Sequence, residues 1–436
     1  MSPTHPICGQ HGSAAAAPAT IKGMPGVYLS YPFCAQKCTY CNFASGVFPR
    51  PLEARYLAAL EAEVRAHAWQ WRPETVFLGG GTPSQIAPDA LQALLAAIPG
   101  NPWLEATLEA APGTVTPEKA RAWAGCGIHR VSLGVQSFVQ LELRRSGRKH
   151  TAQTVADDVR TLAAAGIDNY NLDLIAGLSG QTETSWRESL AWIERLQPPH
   201  VSVYMLEVDE DSRLGSEMLR GGSRYGAGDT PDDDQTAAFY EMAVERLAAM
   251  GIARYEISNF ARPGFESRHN LKYWKLEPYV GFGADAHSFD GRMRSQNSTS
   301  IEDYVSVFVG QVGRGTLWVR PIGGALWARP AGSTHDAGET PAQATDSGTD
   351  DRVLSSATSP PAREADLDAA LSEERFFVGL RLTEGIRPEP EEWLRFAAPI
   401  HRFIDAGLLE TAGGILRLTN RGVMLSNEVF QEFLTA

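Results

Sequence analysis

The feature that most constrains the fold is a regular alternation of short β-rich runs and longer helical patterns between Gly26 and about Val208. The predicted strands are residues 27–30, 75–78, 105–109, 130–134, 170–175 and 201–206, and the predicted helices between them are residues 52–71, 89–98, 117–124, 151–165 and 183–196. Strand followed by helix, repeated along a chain, requires parallel strands joined by right-handed crossovers. The pattern therefore predicts an α/β fold, a partial (β/α)6 TIM-like barrel, with ligands at the carboxyl ends of its strands.

Composition divides the rest of the chain. Residues 1–23 are rich in Ala, Pro, Ser and Gly and predict a flexible tail, which leaves residues 24–320 for the barrel and its extension. Residues 321–365 predict a low-complexity linker or insertion, because they carry too few large apolar side chains to offset the entropy cost of ordering. Residues 366–436 predict a small α+β winged-helix-like domain, with helices at 367–380, 399–406 and 419–433 and a hairpin around Gly413 and Gly414.

Charge and cysteine content exclude several classes of protein. The chain has 52 acidic and 39 basic residues, so its net charge is −13, and we expect no nucleic-acid partner and no general attraction to anionic lipid. No run approaches the roughly 18–20 apolar residues of a membrane span, so no transmembrane segment is predicted. An odd number of cysteines and the lack of an export signal favour the reducing cytoplasm.

The most informative motif is a cluster of three cysteines just after the first predicted strand. Cys34, Cys38 and Cys41 follow the spacing C-x3-C-x2-C, which can wrap three thiolates around one compact metal centre. An iron–sulfur cube held by three thiolates keeps one iron open for another ligand. The alternatives are inert thiols or a zinc site, for which His67 or Cys126 would have to supply the fourth ligand that structural zinc requires.

A glycine run, Gly79-Gly80-Gly81-Thr82-Pro83, follows the second predicted strand. Glycines at a strand end let backbone amides approach a bound anion closely, and the alternative is a plain strand-to-helix turn. The cysteine spacing and this run together resemble the radical S-adenosylmethionine superfamily. The resemblance implies a [4Fe-4S] cluster held by the three cysteines, with S-adenosylmethionine on its open iron. It also implies one-electron cleavage of that cofactor to methionine and a 5′-deoxyadenosyl radical.

Further segments narrow the resemblance to one branch of the superfamily. Residues 134–138 (Gly-Val-Gln-Ser-Phe), 171–175 (Asn-Leu-Asp-Leu-Ile) and 177–182 (Gly-Leu-Ser-Gly-Gln-Thr) are similar to the branch that contains oxygen-independent coproporphyrinogen III dehydrogenases and heme chaperones. The resemblance spans nearly all of residues 26–320 and the C-terminal module. The residues it implies for S-adenosylmethionine binding are Tyr28, Tyr40, Gly80, Gly81, Thr82, Glu109, Gln136, Arg148 and Asp173. For two of them a bland role is the alternative: a solvated helix charge for Arg148 and a turn cap for Asp173.

Two positions separate the members of this branch. Phe43 stands where the dehydrogenases carry a fourth cysteine, and phenylalanine cannot ligate iron. Residues 269–274 read His-Asn-Leu-Lys-Tyr-Trp and match the H-N-x-x-Y-W signature of the heme chaperones. The match implies a heme site formed by His269, Asn270, Tyr273 and Trp274, since imidazole is a common axial ligand and the aromatic rings offer flat faces. The alternative is a structural segment with the aromatic residues in the core.

The sequence therefore favours a cytoplasmic heme chaperone that binds a [4Fe-4S] cluster, S-adenosylmethionine and heme. We expect it to pass heme to an acceptor hemoprotein, for example a respiratory complex at the membrane, and to use an electron donor. The alternatives are a coproporphyrinogen III dehydrogenase, or a radical methyltransferase or similar enzyme that modifies another substrate, so whether the chain is an enzyme stays open. Ser30 stands where the family usually has histidine, and this departure puts the usual rate of cofactor cleavage in doubt.

Overall fold

The computed structural model describes residues 25–309 and 364–434. The strands are β1 (Gly26–Tyr31), β2 (Thr75–Gly80), β3 (Glu105–Ala110), β4 (Arg130–Gln136), β5 (Asn169–Ala176), β6 (His200–Met205), β7 (Ala253–Arg254), β8 (Asn259–Ala261), β9 (Tyr279–Phe282), β10 (His287–Phe289), β11 (Arg294–Gln296), β12 (Leu409–Ala412) and β13 (Ile415–Leu418). The predicted tail, and the predicted linker up to residue 363, lie outside the described residues.

Helices connect these strands. They are α1 (Arg50–Ala66), α2 (Pro88–Ala96), α3 (Pro117–Gly125), α4 (Gln140–Arg145), α5 (Ala152–Ala164), α6 (Glu183–Leu196), α7 (Arg213–Leu219), α8 (Asp233–Ala249), α9 (Arg268–Trp274), α10 (Ile301–Val309), α11 (Glu364–Gly379), α12 (Pro390–Arg395), α13 (Ala397–Asp405), α14 (Asn420–Met424) and α15 (Ser426–Gln431).

One large sheet organises the barrel. Strands β1 to β6 lie side by side in chain order and all pair in parallel. Strand β9 extends the sheet beyond β1 in parallel, and β8 pairs antiparallel with β6 at the other end. The predicted α/β barrel-type architecture is confirmed, and α6 has the predicted bounds.

The two faces of the parallel strands differ in polarity. On β4, Val131, Leu133 and Val135 are fully buried among apolar side chains and belong to the continuous core. Burying such a side chain contributes about 1.5–3 kcal/mol. The alternate residues, Arg130 and Ser132 among them, point to the other face, because side chains alternate along a strand. That face encloses the polar space between β1 and β6, called the lumen below.

The C-terminal module comprises α11 to α15 and the hairpin β12–β13. It joins the barrel through a backbone bridge between Glu256 and Leu382 and a hydrogen bond from Thr383 N to Tyr255 O (3.0 Å). The hairpin was predicted, but the predicted single helix at 419–433 is wrong. It is divided at Leu425, whose φ of −114° and ψ of 26° leave the helical region and separate α14 from α15.

Candidate functional site

The three clustered cysteines lie in the loop after β1, at the carboxyl end of the strand. All three are free thiols. Burial raises the pKa of the Cys34 thiol, and the nearby Cys41 and Cys38 raise it further, whereas hydrogen bonds from the Thr82 and Ser45 hydroxyls oppose the shift. The structure therefore brings the predicted ligands Cys34, Cys38 and Cys41 together with Thr82 of the glycine run.

Neighbouring elements hold this cysteine loop in place. Thr39 N donates to Ser146 O (3.2 Å), and the Thr39 hydroxyl donates to Arg145 O (3.1 Å), both at the end of α4. On the other side, Leu214 N of α7 donates to Thr39 O (2.8 Å). Gln36 also donates to Gly147 O (2.8 Å). Backbone groups of α7 and of the end of α4 thus hold the cysteine loop in place.

The donor set fits an iron–sulfur cube better than a single ion. Among the described residues, no group of three or more His, Cys, Asp and Glu side chains is arranged to hold one metal ion. His67 packs against Trp69, Trp71 and Phe282, and Cys126 ends α3, so neither completes a zinc site. In a cube each thiolate bonds a different iron, so the three sulfurs stand further apart than around one ion.

The glycine run brings the end of β2 against the cysteine loop. A Cβ on Gly81 would lie 2.6 Å from Phe33 O, so only glycine allows this approach. The three amides of the run are already engaged: Gly80 N donates to Glu109 Oε2 (3.2 Å), Gly81 N to Tyr31 O (2.7 Å) and Thr82 N to Phe33 O (2.9 Å). A ligand would therefore contact groups of the glycine run other than these three amides, although the sequence suggested contact through the amides.

The mouth of the barrel is the opening of the lumen at the carboxyl ends of the strands. One side of it is formed by Tyr40, Gln136 and Arg148. Burial opposes the charge of Arg148, but the adjacent Tyr40 phenol and Cys38 thiol hydrogen-bond to it and raise the pKa of its guanidinium. Among the residues that the structure describes, its buried Nε has no hydrogen-bond partner. Gln136 has a φ of 68° beyond a register shift in β4, and a Cβ on Gly134 would lie 3.0 Å from Gln136 Nε2 and 3.6 Å from Arg148 Nη2. Arg148 is therefore an inward-facing cation, and not a solvated helix charge.

Two carboxyl groups in the lumen, Glu109 of β3 and Asp173 of β5, interact electrostatically. Burial, followed by the charge of Asp173, raises the pKa of Glu109 to about 8. Burial also raises the pKa of Asp173, which accepts hydrogen bonds from Asn171 Nδ2 (2.6 Å) and Ser132 Oγ (3.4 Å). Asp173 lies within β5, so it is not a turn cap. Tyr28 of β1 adjoins Glu109, since a Cβ on Gly79 would meet both side chains.

The predicted heme motif lies elsewhere, at the amino ends of the strands. His269 is fully buried, with Nδ1 2.8 Å from Thr75 Oγ1 and Nε2 2.8 Å from the Tyr273 hydroxyl. Its ring stacks on Phe77 at 5.2 Å, and burial lowers the pKa of the imidazole to about 3. Both ring nitrogens are thus engaged, and the ring closes the floor of the lumen.

The helix that carries this motif is anchored by a carboxylate from β3. Glu105 accepts from the backbone amides of Arg268 (2.9 Å) and His269 (3.0 Å), which caps the start of α9. At the other end of α9, the Arg381 guanidinium lies 5.1 Å from the Trp274 ring. Trp274 Nε1 is buried and has no hydrogen-bond partner in the described part of the chain. Asn270 is partly buried in the first turn of the same helix.

Sequence reasoning missed several residues of the lumen. Arg130 is only 2% exposed. Its positive charge acts to lower the pKa values of Glu109, Asp173, His200 and His269. Tyr204 is 42% exposed, yet burial raises the pKa of its phenol well above the usual value. The exposure of Tyr204 and the burial of its phenol are compatible, because the exposed surface faces a space that the barrel encloses. The sequence signal that could have identified these residues is the occurrence of polar side chains at every second position along β4, β5 and β6.

Comparison with known proteins agrees with this architecture. The sequence profile of the Radical SAM superfamily matches residues 28–193, and that of the HemN C-terminal domain matches residues 369–425. The solved structure of coproporphyrinogen III oxidase (HemN) from Escherichia coli superposes with a TM-score of 0.72 over 94% of this chain and 90% of that one, at 19% identity. The fold and the cysteine loop define a radical S-adenosylmethionine protein with a HemN-type C-terminal domain.

Full-length relatives identify the family within that class. The chain is 30% identical to the heme chaperone HemW of Bacillus subtilis (strain 168), over 94% of this chain and 99% of the relative. It is 30% identical to HemW of Lactococcus lactis, over 93% and 96%, and 35% identical to HemW of Escherichia coli (strain K12), over 63% and 73%. The chain belongs to the HemW family of heme chaperones.

No helix in residues 25–309 or 364–434 combines the length and apolar character needed to span a bilayer. Phe43, singled out in the sequence as a position without a thiol, exposes 67% of its surface.

Proposed function

We propose that this chain is a heme chaperone that binds heme, a [4Fe-4S] cluster and S-adenosylmethionine, and delivers heme to acceptor hemoproteins in the cytoplasm or at the membrane. The observation that carries the proposal is the match to curated heme chaperones along nearly the whole of both chains. The fold alone would not decide it, because the same fold occurs in a coproporphyrinogen oxidase.

Cys34, Cys38 and Cys41 would hold the cluster, and the side chains around the mouth would hold S-adenosylmethionine. The bound cluster supplies a low-potential electron and an open iron for the amino and carboxyl groups of the cofactor. Arg148 provides a fixed positive charge for a carboxylate, and Asp173 provides acceptors for ribose hydroxyls. Tyr28 and Tyr40 would line the same space, with Glu109 and Gln136 as polar neighbours. An external electron donor would reduce the cluster.

The heme motif places a constraint on how heme is held. Ligation of iron by His269 requires release of its hydrogen bond to Thr75 or to Tyr273 and movement of a fully buried ring. Asn270, Tyr273 and Trp274 are partly exposed, whereas His269 is not. Heme binding therefore involves either a local opening of α9 or contacts that leave His269 in place.

The test is an anaerobic heme titration followed at the Soret band, with wild type compared with His269→Ala and His269→Gln. We expect stoichiometric binding at micromolar heme by the wild type. Thermal unfolding of each variant separates the structural role of His269 from a role as heme ligand. Removing a buried ring that makes two hydrogen bonds costs about 3 kcal/mol of stability even without heme. Loss of heme binding in a variant that still folds assigns the ligand. A wild type that binds no heme contradicts the chaperone function.

The second candidate is a coproporphyrinogen III dehydrogenase, favoured by the complete set of mouth residues and by the fold. Phe43 argues against it, since that position carries no thiol. An anaerobic assay of reconstituted protein with coproporphyrinogen III and reductant decides between them. Formation of a vinyl-bearing, decarboxylated product would establish the dehydrogenase.

A further inference from the structure

A cavity of about 270 Å³ lies between the barrel and the C-terminal module. Arg254 and Ile257 line it from the barrel, and Arg381, Glu410, Arg417 and Asn420 line it from the module. Small-molecule clefts usually measure about 300–1,000 Å³. The space therefore suits the edge of a larger ligand, or a small polar group, better than a whole macrocycle.

The charge of this cavity is uneven. Arg417 Nε is paired with Glu410 Oε1 at 2.6 Å, so these two charges compensate each other. The Arg254 guanidinium donates to two neutral groups, Asn420 Oδ1 at 3.0 Å and the Tyr240 hydroxyl at 3.4 Å. Within the described part of the chain, neither Arg254 nor Arg381 has a carboxylate within 4 Å. Two arginines that form no close ion pair among the described residues therefore line one cavity.

Arg381 is the more unusual of the two. Its guanidinium lies between the rings of Trp274 (5.1 Å), Phe430 (5.0 Å) and Phe377 (5.5 Å). Burial lowers the pKa of the guanidinium, although Glu256 and Glu207 at longer range oppose the shift. Its Nε is buried and meets no hydrogen-bond partner within residues 25–309 and 364–434, and the same holds for Nε1 of the adjacent Trp274.

Arg381 lines the cavity and carries a buried N–H donor that meets no acceptor among the described residues, which is costly unless a ligand supplies one. A buried donor without a partner is destabilising, and a buried charge without a partner is more so. A carboxylate is the group that compensates both the charge and the missing acceptor, and arginine binds it with two parallel hydrogen bonds.

We propose that this cavity binds the propionate carboxylates of heme, with Arg381 as the principal partner and Arg254 as the second. The assignment rests on the proposed heme-chaperone function. It links the C-terminal module to the heme motif, since Arg381 follows α11 and stacks on Trp274, the last residue of α9. The tetrapyrrole would then lie at the junction of barrel and module with its carboxylate edge inside the cavity.

The experiment compares ferric heme with ferric heme dimethyl ester, whose propionates are esterified and uncharged. Both are titrated into full-length wild type, Arg381→Met and Arg254→Met. Arg402→Met is the matched control, because Arg402 lies on α13 in an exposed pair with Glu432 and does not line the cavity. We expect the wild type to bind heme at least tenfold more tightly than the ester. Arg381→Met should lose most of this preference, Arg254→Met part of it and Arg402→Met none.

The outcomes distinguish a failure of the propionate site from a failure of the heme-chaperone function on which it rests. Equal affinity of the wild type for heme and ester, with heme binding intact, overturns the propionate site and leaves the chaperone function standing. Binding of neither compound contradicts the chaperone function itself. If Arg381→Met does not fold, the wild-type comparison of heme with ester and the Arg254→Met titration still decide the question.

Discussion

At the scale of single residues, burial controls the protonation of the lumen. Glu109 and Asp173 lie close enough to repel each other when both are ionised, and the charge of Arg130 relieves only part of this repulsion. With its pKa at about 8, Glu109 is mostly protonated at neutral pH. The upper lumen thus carries less negative charge than its two carboxyl groups suggest, which eases the entry of a ligand carboxylate beside Arg148.

This shift has a measurable consequence for stability. The folded state binds a proton at Glu109 that the unfolded chain has released above its ordinary pKa, so the Glu109 contribution to stability falls as pH rises from about 4.5 to 8. Glu109→Gln keeps an acceptor for Gly80 N and removes the titration. We expect its melting temperature to gain on the wild type between pH 5 and pH 8, then to level off. Thermal scans of the apo-protein check this, with exposed Glu118→Gln as control; a difference that does not vary with pH would refute it.

At the scale of elements, the cysteine loop depends on its neighbours. Thr39 is 4% exposed and links the loop to the end of α4 by two hydrogen bonds and to α7 by a third. Of these, only the bond from its hydroxyl to Arg145 O can be removed by a side-chain substitution. That bond fixes the loop from within, between Cys38 and Cys41.

We expect Thr39→Val, which keeps the side-chain shape, to loosen the loop by about 1 kcal/mol, roughly a fivefold change in equilibrium. Thr39→Ser retains the hydroxyl and serves as the control. The measurement is the rate at which an iron chelator strips the reconstituted cluster under anaerobic conditions. Valine should speed this loss several-fold and serine should not. Equal rates for all three proteins would mean that the hydroxyl bond does not hold the loop.

The elements also mark the limit of what the sequence could predict. The six parallel strands were predictable because their apolar residues form short, strongly periodic runs, and the cysteine loop because three ligands are adjacent in sequence. The orientation of His269 was not predictable, because it depends on Thr75 and Glu105, which lie 194 and 164 positions away in the chain. The end of α1 at Ala66 was also misplaced, since His67 turns extended (ψ 128°) within an apolar run.

At the scale of the whole molecule, the two candidate sites lie at opposite ends of the same strands. The cysteine loop and Glu109 stand at the carboxyl ends, while His269 contacts Thr75 and Glu105, the first residues of β2 and β3. A six-residue strand spans about 17 Å. Phe77 and Tyr28 fill part of the lumen between the two ends, with their rings stacked at 6.1 Å.

This separation predicts that heme and S-adenosylmethionine bind at the same time. Neither ligand would occupy space that the other needs, so we expect one of each per chain and a change of less than about threefold in the heme Kd when S-adenosylmethionine is saturating, below the usual range for coupled sites. Anaerobic equilibrium dialysis with labelled S-adenosylmethionine, combined with the Soret titration, measures both occupancies on one sample. The Cys41→Ser variant, which should lose the cluster, controls for the cofactor site. Mutual displacement of the two ligands would instead place heme in the lumen, above the floor that His269 closes.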